Sequence, residues 1–234
     1  MGLVYIASAW SMEAEFYAMA PLGVSAHTTR VSLGDDPEHF TVHDLANLKD
    51  KTIEATALLA QAPLNAIAFG CTSGSFANGV AYDNELIGKM EEVSGGIPCT
   101  TTSASVVEAL NALHINKIAI ATPYEKSVYT LARKFMEDSG FTVTNVTGLG
   151  LSNDYTISSL DAQTIYKMAR EADTEDAEAL FISCTGLSAA YIIDALEEDL
   201  RKPVIISNQA TFWQSLRLSG IYRVIHGFGK LMQT

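Results

Sequence analysis

The segments Ala66-Ile-Ala-Phe-Gly-Cys-Thr-Ser-Gly-Ser75 and Ala179-Leu-Phe-Ile-Ser-Cys-Thr-Gly-Leu-Ser188 are built to one pattern. Each passes from an apolar run through a small residue into Cys-Thr and closes on a serine. Runs this apolar on both faces fit strands of a parallel sheet covered by helices on both sides. Cys71 and Cys184 lie 113 residues apart, close to half of the 234-residue chain. A duplicated βα unit would set each cysteine at the carboxyl end of its own strand, where open α/β sheets bind ligands.

Short apolar runs alternate with helical patterns on either side of these segments. Strands are predicted at 3–7, 25–33, 66–70, 117–122 (ending at Pro123), 141–146, 179–183 and 203–207. Helical spacing of apolar residues joins Leu45, Leu48, Thr52, Ala55 and Leu59, and helices are expected near 84–93, 106–113 (opening with a Ser105/Glu108 capping box) and 161–172. Val128, Leu131, Ala132, Phe135 and Met136 form one stripe that Gly140 ends, and Ala189, Ile192, Ile193, Leu196 and Leu200 form another. Alternation alone fits an α/β fold with one doubly wound sheet. The paired cysteine segments favour two similar Rossmann-like half-domains with parallel sheets, related by a pseudo-twofold axis around a central cleft. Residues 1–98 with 208–234 would form one half, and residues 99–207 the other.

A strand-to-helix turn aims backbone amides and a helix N-terminus at the cleft, which favours an anion and lowers a thiol pKa. Two thiols facing each other suit two-sided chemistry, one removing a proton or attacking carbon while the other donates a proton. That is racemisation or addition–elimination isomerisation, with no cofactor and no metal expected. Cys99 lacks the strand-end context and reads as core. There is no GxGxxG after a strand, no P-loop and no HExxH. His27, His39, His43, His114 and His226 are scattered.

Hydrophobic residues make up 48% and charged residues 18%, which excludes a disordered chain. Acidic residues outnumber basic ones 27 to 15, a formal charge of −12, which argues against nucleic acid and anionic membrane as partners. Three cysteines without CxxC spacing argue against a disulfide framework or structural zinc. No signal-like start or membrane-length apolar run is present, so a soluble, cytoplasmic protein is expected.

The chain resembles the aspartate/glutamate racemase superfamily, in its branch of maleate cis-trans isomerases and arylmalonate decarboxylases. The resemblance runs through Met12-Glu-Ala-Glu-Phe16, His27-Thr-Thr-Arg30, Cys71-Thr-Ser73, Thr122-Pro-Tyr124, Cys184-Thr185 and Ser207-Asn-Gln-Ala-Thr-Phe-Trp213. It implies that Cys71 is the nucleophile and that Cys184 handles the proton. It implies further that Tyr124 and amides around Thr72 and Ser73 contact a substrate carboxylate, and it places a substrate-binding asparagine near Asn153-Asp154. Thr185 either supports the second thiolate through its amide or caps the next helix. Decarboxylases of this branch keep only the second cysteine, so the pair here favours isomerase or racemase chemistry on a small carboxylate. A decarboxylase and a non-catalytic small-carboxylate-binding protein are the alternatives, and a homodimer or higher homo-oligomer is expected.

One departure is visible. The asparagine that isomerases carry in the first strand–helix loop falls at Ala9, beside Trp10, which is placed to fill the space. An alanine donates no side-chain hydrogen bond, so weak or absent turnover of maleate is expected, with a substrate that has one less polar end. A proton NMR assay of maleate against fumarate checks this directly, efficient conversion being the contrary result.

Overall fold

The computed structural model describes residues 1–34, 36 and 39–234. The first half runs β1 (Gly2–Ile6), α1 (Ser11–Met19), β2 (His27–Val31), α2 (Val42–Ala46), α3 (Lys49–Leu59), β3 (Ile67–Gly70), α4 (Thr72–Phe76), α5 (Val80–Val93), β4 (Cys99–Thr101) and α6 (Thr102–Ala112). The second runs β5 (Lys117–Tyr124), α7 (Lys126–Asp138), β6 (Thr142–Leu151), α8 (Asp154–Ser158), α9 (Ala162–Ala172), β7 (Ala179–Ile182), α10 (Ile193–Leu200), β8 (Val204–Ile206) and α11 (Ser207–Leu218). Among the described residues these strands form two four-stranded parallel sheets, β2-β1-β3-β4 and β6-β5-β7-β8. The same order occurs twice, as expected of a repeated unit.

Side-chain alternation on β1 explains how the first sheet is covered on both faces. Val4 and Ile6 join the layer formed with Leu48, Ala55, Leu59, Leu86 and Met90 from the helical side. Leu3 and Tyr5 face the opposite way, into the core shared with Phe16, Phe212 and the second sheet. The stripe on α7 buries Val128, Ala132, Phe135 and Met136, and Gly140 follows it at a φ of +95°, a backbone state that L side chains rarely adopt. Among the described residues no helix is long and apolar enough to cross a membrane.

Several boundaries differ from the sequence reading. Cys99–Thr101, assigned above to the second half, is the edge strand of the first sheet, paired with β3. Its three residues are too few to show a periodicity. The helix expected to open at Ser105 starts a turn earlier, because the Thr101 side chain accepts from the Ala104 amide. Leu45 to Leu59 is two helices, parted at Asn47 and Leu48. β5 does not stop at Pro123 but runs to Tyr124. The register against β6 shifts between Thr122 and Tyr124, where the missing proline N–H disturbs no regular ladder. β6 reaches Leu151, five residues beyond the predicted end.

The halves are stitched by buried polar groups. Tyr5 donates to the Thr185 carbonyl (3.0 Å), Ser11 to the Gly186 carbonyl (2.7 Å) and Thr72 Oγ1 to Ser207 Oγ (2.8 Å). Glu15, on α1, accepts from the Ala190 amide (2.8 Å) and from Asn208 Nδ2 (2.6 Å). α11 leaves the second sheet and packs on α1, α6, β3 and β4.

Burial pushes the Glu15 carboxyl up to about 7. The folded protein therefore holds this proton to higher pH than the unfolded chain, where the group titrates near 4.5. Stability should fall as pH rises from about 4.5 to 7, on the order of 3 kcal/mol in all from this group. Glu15→Gln should flatten that slope, with Asn208 turning its otherwise unpartnered Oδ1 toward the new amide. Asp83, also raised to about 7, contributes equally to both proteins, so the difference between their urea midpoints at pH 5 and 8 isolates Glu15.

Candidate active site

Cys71 ends β3 and caps α4, its Sγ accepting from the Gly74 amide at 3.3 Å, with Ser73 Oγ at 3.8 Å. Gly74 is required by close approach. A Cβ there would lie 2.7 Å from Leu48 Cδ1 and 3.0 Å from the sulfur. Cys184 follows β7, and its Sγ accepts from the Gly186 amide at 3.2 Å. The two turns are less alike than their sequences. Only the Cys71 turn leads directly into a helix, and the chain after Cys184 stays irregular until a 3-10 turn at Ala190–Ile192. Thr185 accordingly caps no helix. Its Oγ1 donates to the Gly70 carbonyl (3.4 Å) and ties the second turn to the first.

Tyr124, at the end of β5, joins the two sites. Its buried hydroxyl lies in the electrostatic field of both cysteines, close enough to Cys184 to favour that thiolate. Phe40 and Phe76 pack edge-on against its ring, at centroid distances of 6.1 and 6.4 Å. The structure thus brings Cys71, Thr72, Ser73, Tyr124, Cys184 and Thr185 together. Cys99 is elsewhere, beside Ser94 and the Ile97 carbonyl.

Burial decides the state of the thiols. Cys71 and Cys184 are 3% and 6% exposed, and desolvation pushes both up to about 12. This corrects the expectation of lowered thiol pKa values. The Gly74 and Gly186 amides and the Tyr124 hydroxyl do favour the thiolates, but less than burial opposes them.

The other expected residues lie in the β1–α1 loop and at the start of α8. Asn153 Oδ1 accepts from the Thr156 amide (2.7 Å) and so caps α8. Asp154, partly buried, accepts from Ser8 Oγ (2.6 Å) and lies close enough to both thiols to raise their pKa values. Ala9 is only 4% exposed, and its carbonyl accepts from Arg30 (2.6 Å). The Trp10 ring is 43% exposed at the surface, edge-on to Tyr155. Asp154 borders a cavity of about 270 Å³, lined among the described residues by Ala7, Ser8, Ser32, Leu33, Gly34, Asp36, Phe40 and Asp154. Among the described residues no group of three or more His, Cys, Asp or Glu could hold a metal ion.

Sequence reasoning missed Tyr5, Ser8 and Phe40. Tyr5 and Ser8 sit at and just past the end of the first strand, a position that marks candidates in an α/β sheet. Phe40 carried no such signal.

The family model for arylmalonate decarboxylase matches residues 36–232. An arylmalonate decarboxylase of Bordetella bronchiseptica is 32% identical over 151 residues, which cover 64% of this chain and 62% of that protein. A maleate isomerase variant from Pseudomonas putida S16, solved with maleate, superimposes with a TM-score of 0.93 at 21% identity, covering 99% of this chain and 96% of the other. A cysteine-to-serine variant of Nocardia farcinica maleate cis-trans isomerase, with a covalently bound succinylcysteine intermediate, gives 0.92 at 21% identity, covering 99% and 97%.

Tyr124→Phe should raise the Cys184 pKa further, since a hydrogen bond to a charged group is worth about 1.5–3 kcal/mol. Iodoacetamide labelling of Cys184 at pH 9, followed by peptide mass spectrometry, should slow about tenfold or more, while labelling of Cys99 stays unchanged.

Proposed function

The chain belongs to the arylmalonate decarboxylase family, and from that premise we propose that it is a cofactor-independent isomerase or racemase that works on a small carboxylate with two cysteines. The observation that carries this reading is that Cys71 and Cys184 follow equivalent strands of the two sheets and both lie close enough to the Tyr124 hydroxyl to raise its pKa.

In the resting cleft both sulfurs are held as thiols by burial. Chemistry begins when one thiol loses its proton to solvent water, the thiolate being assisted by its glycine amide. In an isomerisation, the Cys71 thiolate adds to one carbon of the double bond while the Cys184 thiol protonates the other. The bond between them is then single and rotates. Cys184 retakes the proton, and Cys71 leaves as the opposite geometric isomer forms. In a racemisation, one thiolate removes the α-proton and the other thiol delivers a proton to the opposite face. Both schemes return the sulfurs to complementary protonation states without an external oxidant or reductant. The first-turn amides at Thr72 and Ser73 serve the substrate carboxylate, since such groups lack partners inside their own helix.

The covalent succinylcysteine of the Nocardia farcinica isomerase supports the addition step. The 32% identity to an arylmalonate decarboxylase supports a second reading, loss of carbon dioxide followed by protonation from Cys184.

Three substitutions separate these readings. For an isomerase or racemase, Cys71→Ala and Cys184→Ala should each lower turnover by about 10²–10⁴-fold. For a decarboxylase only Cys184→Ala should do so. Cys99→Ala should leave turnover nearly intact in either case. Proton NMR in deuterium oxide, with small unsaturated acids, α-hydrogen acids and arylmalonates, reads all three, and loss of activity only in proportion to loss of folded protein would reduce both cysteines to packing.

A further inference from the structure

Two of the segments that carry the resemblance, Met12-Glu-Ala-Glu-Phe16 and Ser207-Asn-Gln-Ala-Thr-Phe-Trp213, contain no group assigned to a chemical step above. They meet in the core through Glu15 and Asn208, which are 193 positions apart. Asn208 Nδ2 donates to Glu15 Oε2 at 2.6 Å, and the two residues are 1% and 3% exposed. A carboxyl group buried this deeply is costly unless it is hydrogen-bonded. The bonds of this pair lead to one place. Glu15 Oε1 accepts from the Ala190 amide (2.8 Å), and Asn208 Nδ2 donates also to the Leu187 carbonyl (3.3 Å). Ser11, one turn before Glu15 on α1, donates to the Gly186 carbonyl (2.7 Å) and accepts from Ser188 Oγ (2.9 Å). Gly186, Leu187, Ser188 and Ala190 are thus each tied to α1 or α11, and their segment runs directly from Cys184.

The two cysteine turns differ in what holds them. Cys71 is followed at once by α4, whose first turn sets the Gly74 amide on the sulfur. The chain after Cys184 is irregular as far as Ala190, so no helix fixes the Gly186 amide that lies 3.2 Å from Cys184 Sγ. The fit around that turn is close. A Cβ at Gly186 would stand 3.5 Å from the sulfur and 3.1 Å from Ser158 Oγ. Resting on the two-thiol reading of the cleft, we propose that Glu15 and Asn208 are positioning residues for Cys184, holding from α1 and α11 a turn that, at Cys71, a helix holds. They act on the chemistry only through that turn. Misplacing a reacting group by about 1 Å can cost on the order of 10²-fold in rate.

The test follows Glu15→Met, which keeps the bulk of the side chain and removes both acceptors. Iodoacetamide labelling of the intact protein at pH 9, read cysteine by cysteine by peptide mass spectrometry, reports on the turn without a substrate. Labelling of Cys184 should speed up about tenfold, because burial is the larger influence on its thiol and a loosened turn gives part of it up. Cys71 and Cys99 should keep their rates. Turnover of whichever unsaturated acid, α-hydrogen acid or arylmalonate the wild type converts should lose about 10–100-fold in kcat, with KM changed less than about threefold. Glu15→Gln retains an acceptor for the Ala190 amide and should retain most of the turnover and the slow labelling of Cys184. Asn208→Ala should act as Glu15→Met does, more weakly, and it keeps the test open if Glu15→Met folds poorly. Equal acceleration at all three cysteines, an unchanged Cys184, or a Glu15→Gln protein as damaged as Glu15→Met would overturn the proposal. Selective acceleration at Cys184 with turnover intact would leave the positioning role standing and count against the chemical role of Cys184 alone. Loss of turnover in Cys71→Ala and Cys184→Ala, with all three labelling rates unmoved in Glu15→Met, would do the reverse.

Discussion

The arrangement depends on hydrogen bonds between buried polar groups at the carboxyl ends of the two sheets. Thr185 is the clearest case. Its carbonyl accepts from Tyr5 of the first half, and its hydroxyl donates to Gly70, the last residue of β3. Ser11, Glu15 and Thr72 make equivalent ties to Gly186, Ala190 and Ser207. A buried polar group left without a partner costs about 1–3 kcal/mol, so sliding one half against the other would break several such bonds together. The two thiols are therefore held in register by the same groups that close the interface.

That closure has an electrostatic consequence. The low-polarity surroundings that hold both thiols near 12 would also strengthen every charge–dipole contact made once a thiolate forms. Gly74 and Gly186 place one amide on each sulfur, and Tyr124, from the same sheet as Cys184, favours that thiolate. The site is thus arranged for the ionised state while its resting state is neutral.

The approximate twofold repeat is broken in the turns after the two cysteine-bearing strands. β3 and β7 have the same place in their sheets, yet one turn begins a helix and the other does not. The loop after β1 contributes Ser8 to the cavity, and α8 contributes Asp154.

Local chemistry determined much of this protein in the sequence itself. The apolar runs before Cys71 and Cys184, the stripe on α7 and the helix near 161–172 were legible, because each depends on neighbouring residues and on the periods of strand and helix. The resemblance pointed further to Tyr124 and to the roles proposed for the thiols. Tertiary structure alone decided the rest. β4 is a strand because β3 pairs with it, its three residues Cys-Thr-Thr having no pattern of their own. Ser8 reaches Asp154 across 146 positions, and Asn208 reaches Glu15 across 193. The thiols rise to about 12 because burial is a property of everything packed around them, whereas the amides that would lower them are part of their own turns. Sequence shows the local half of that balance, and only the folded chain supplies the larger half.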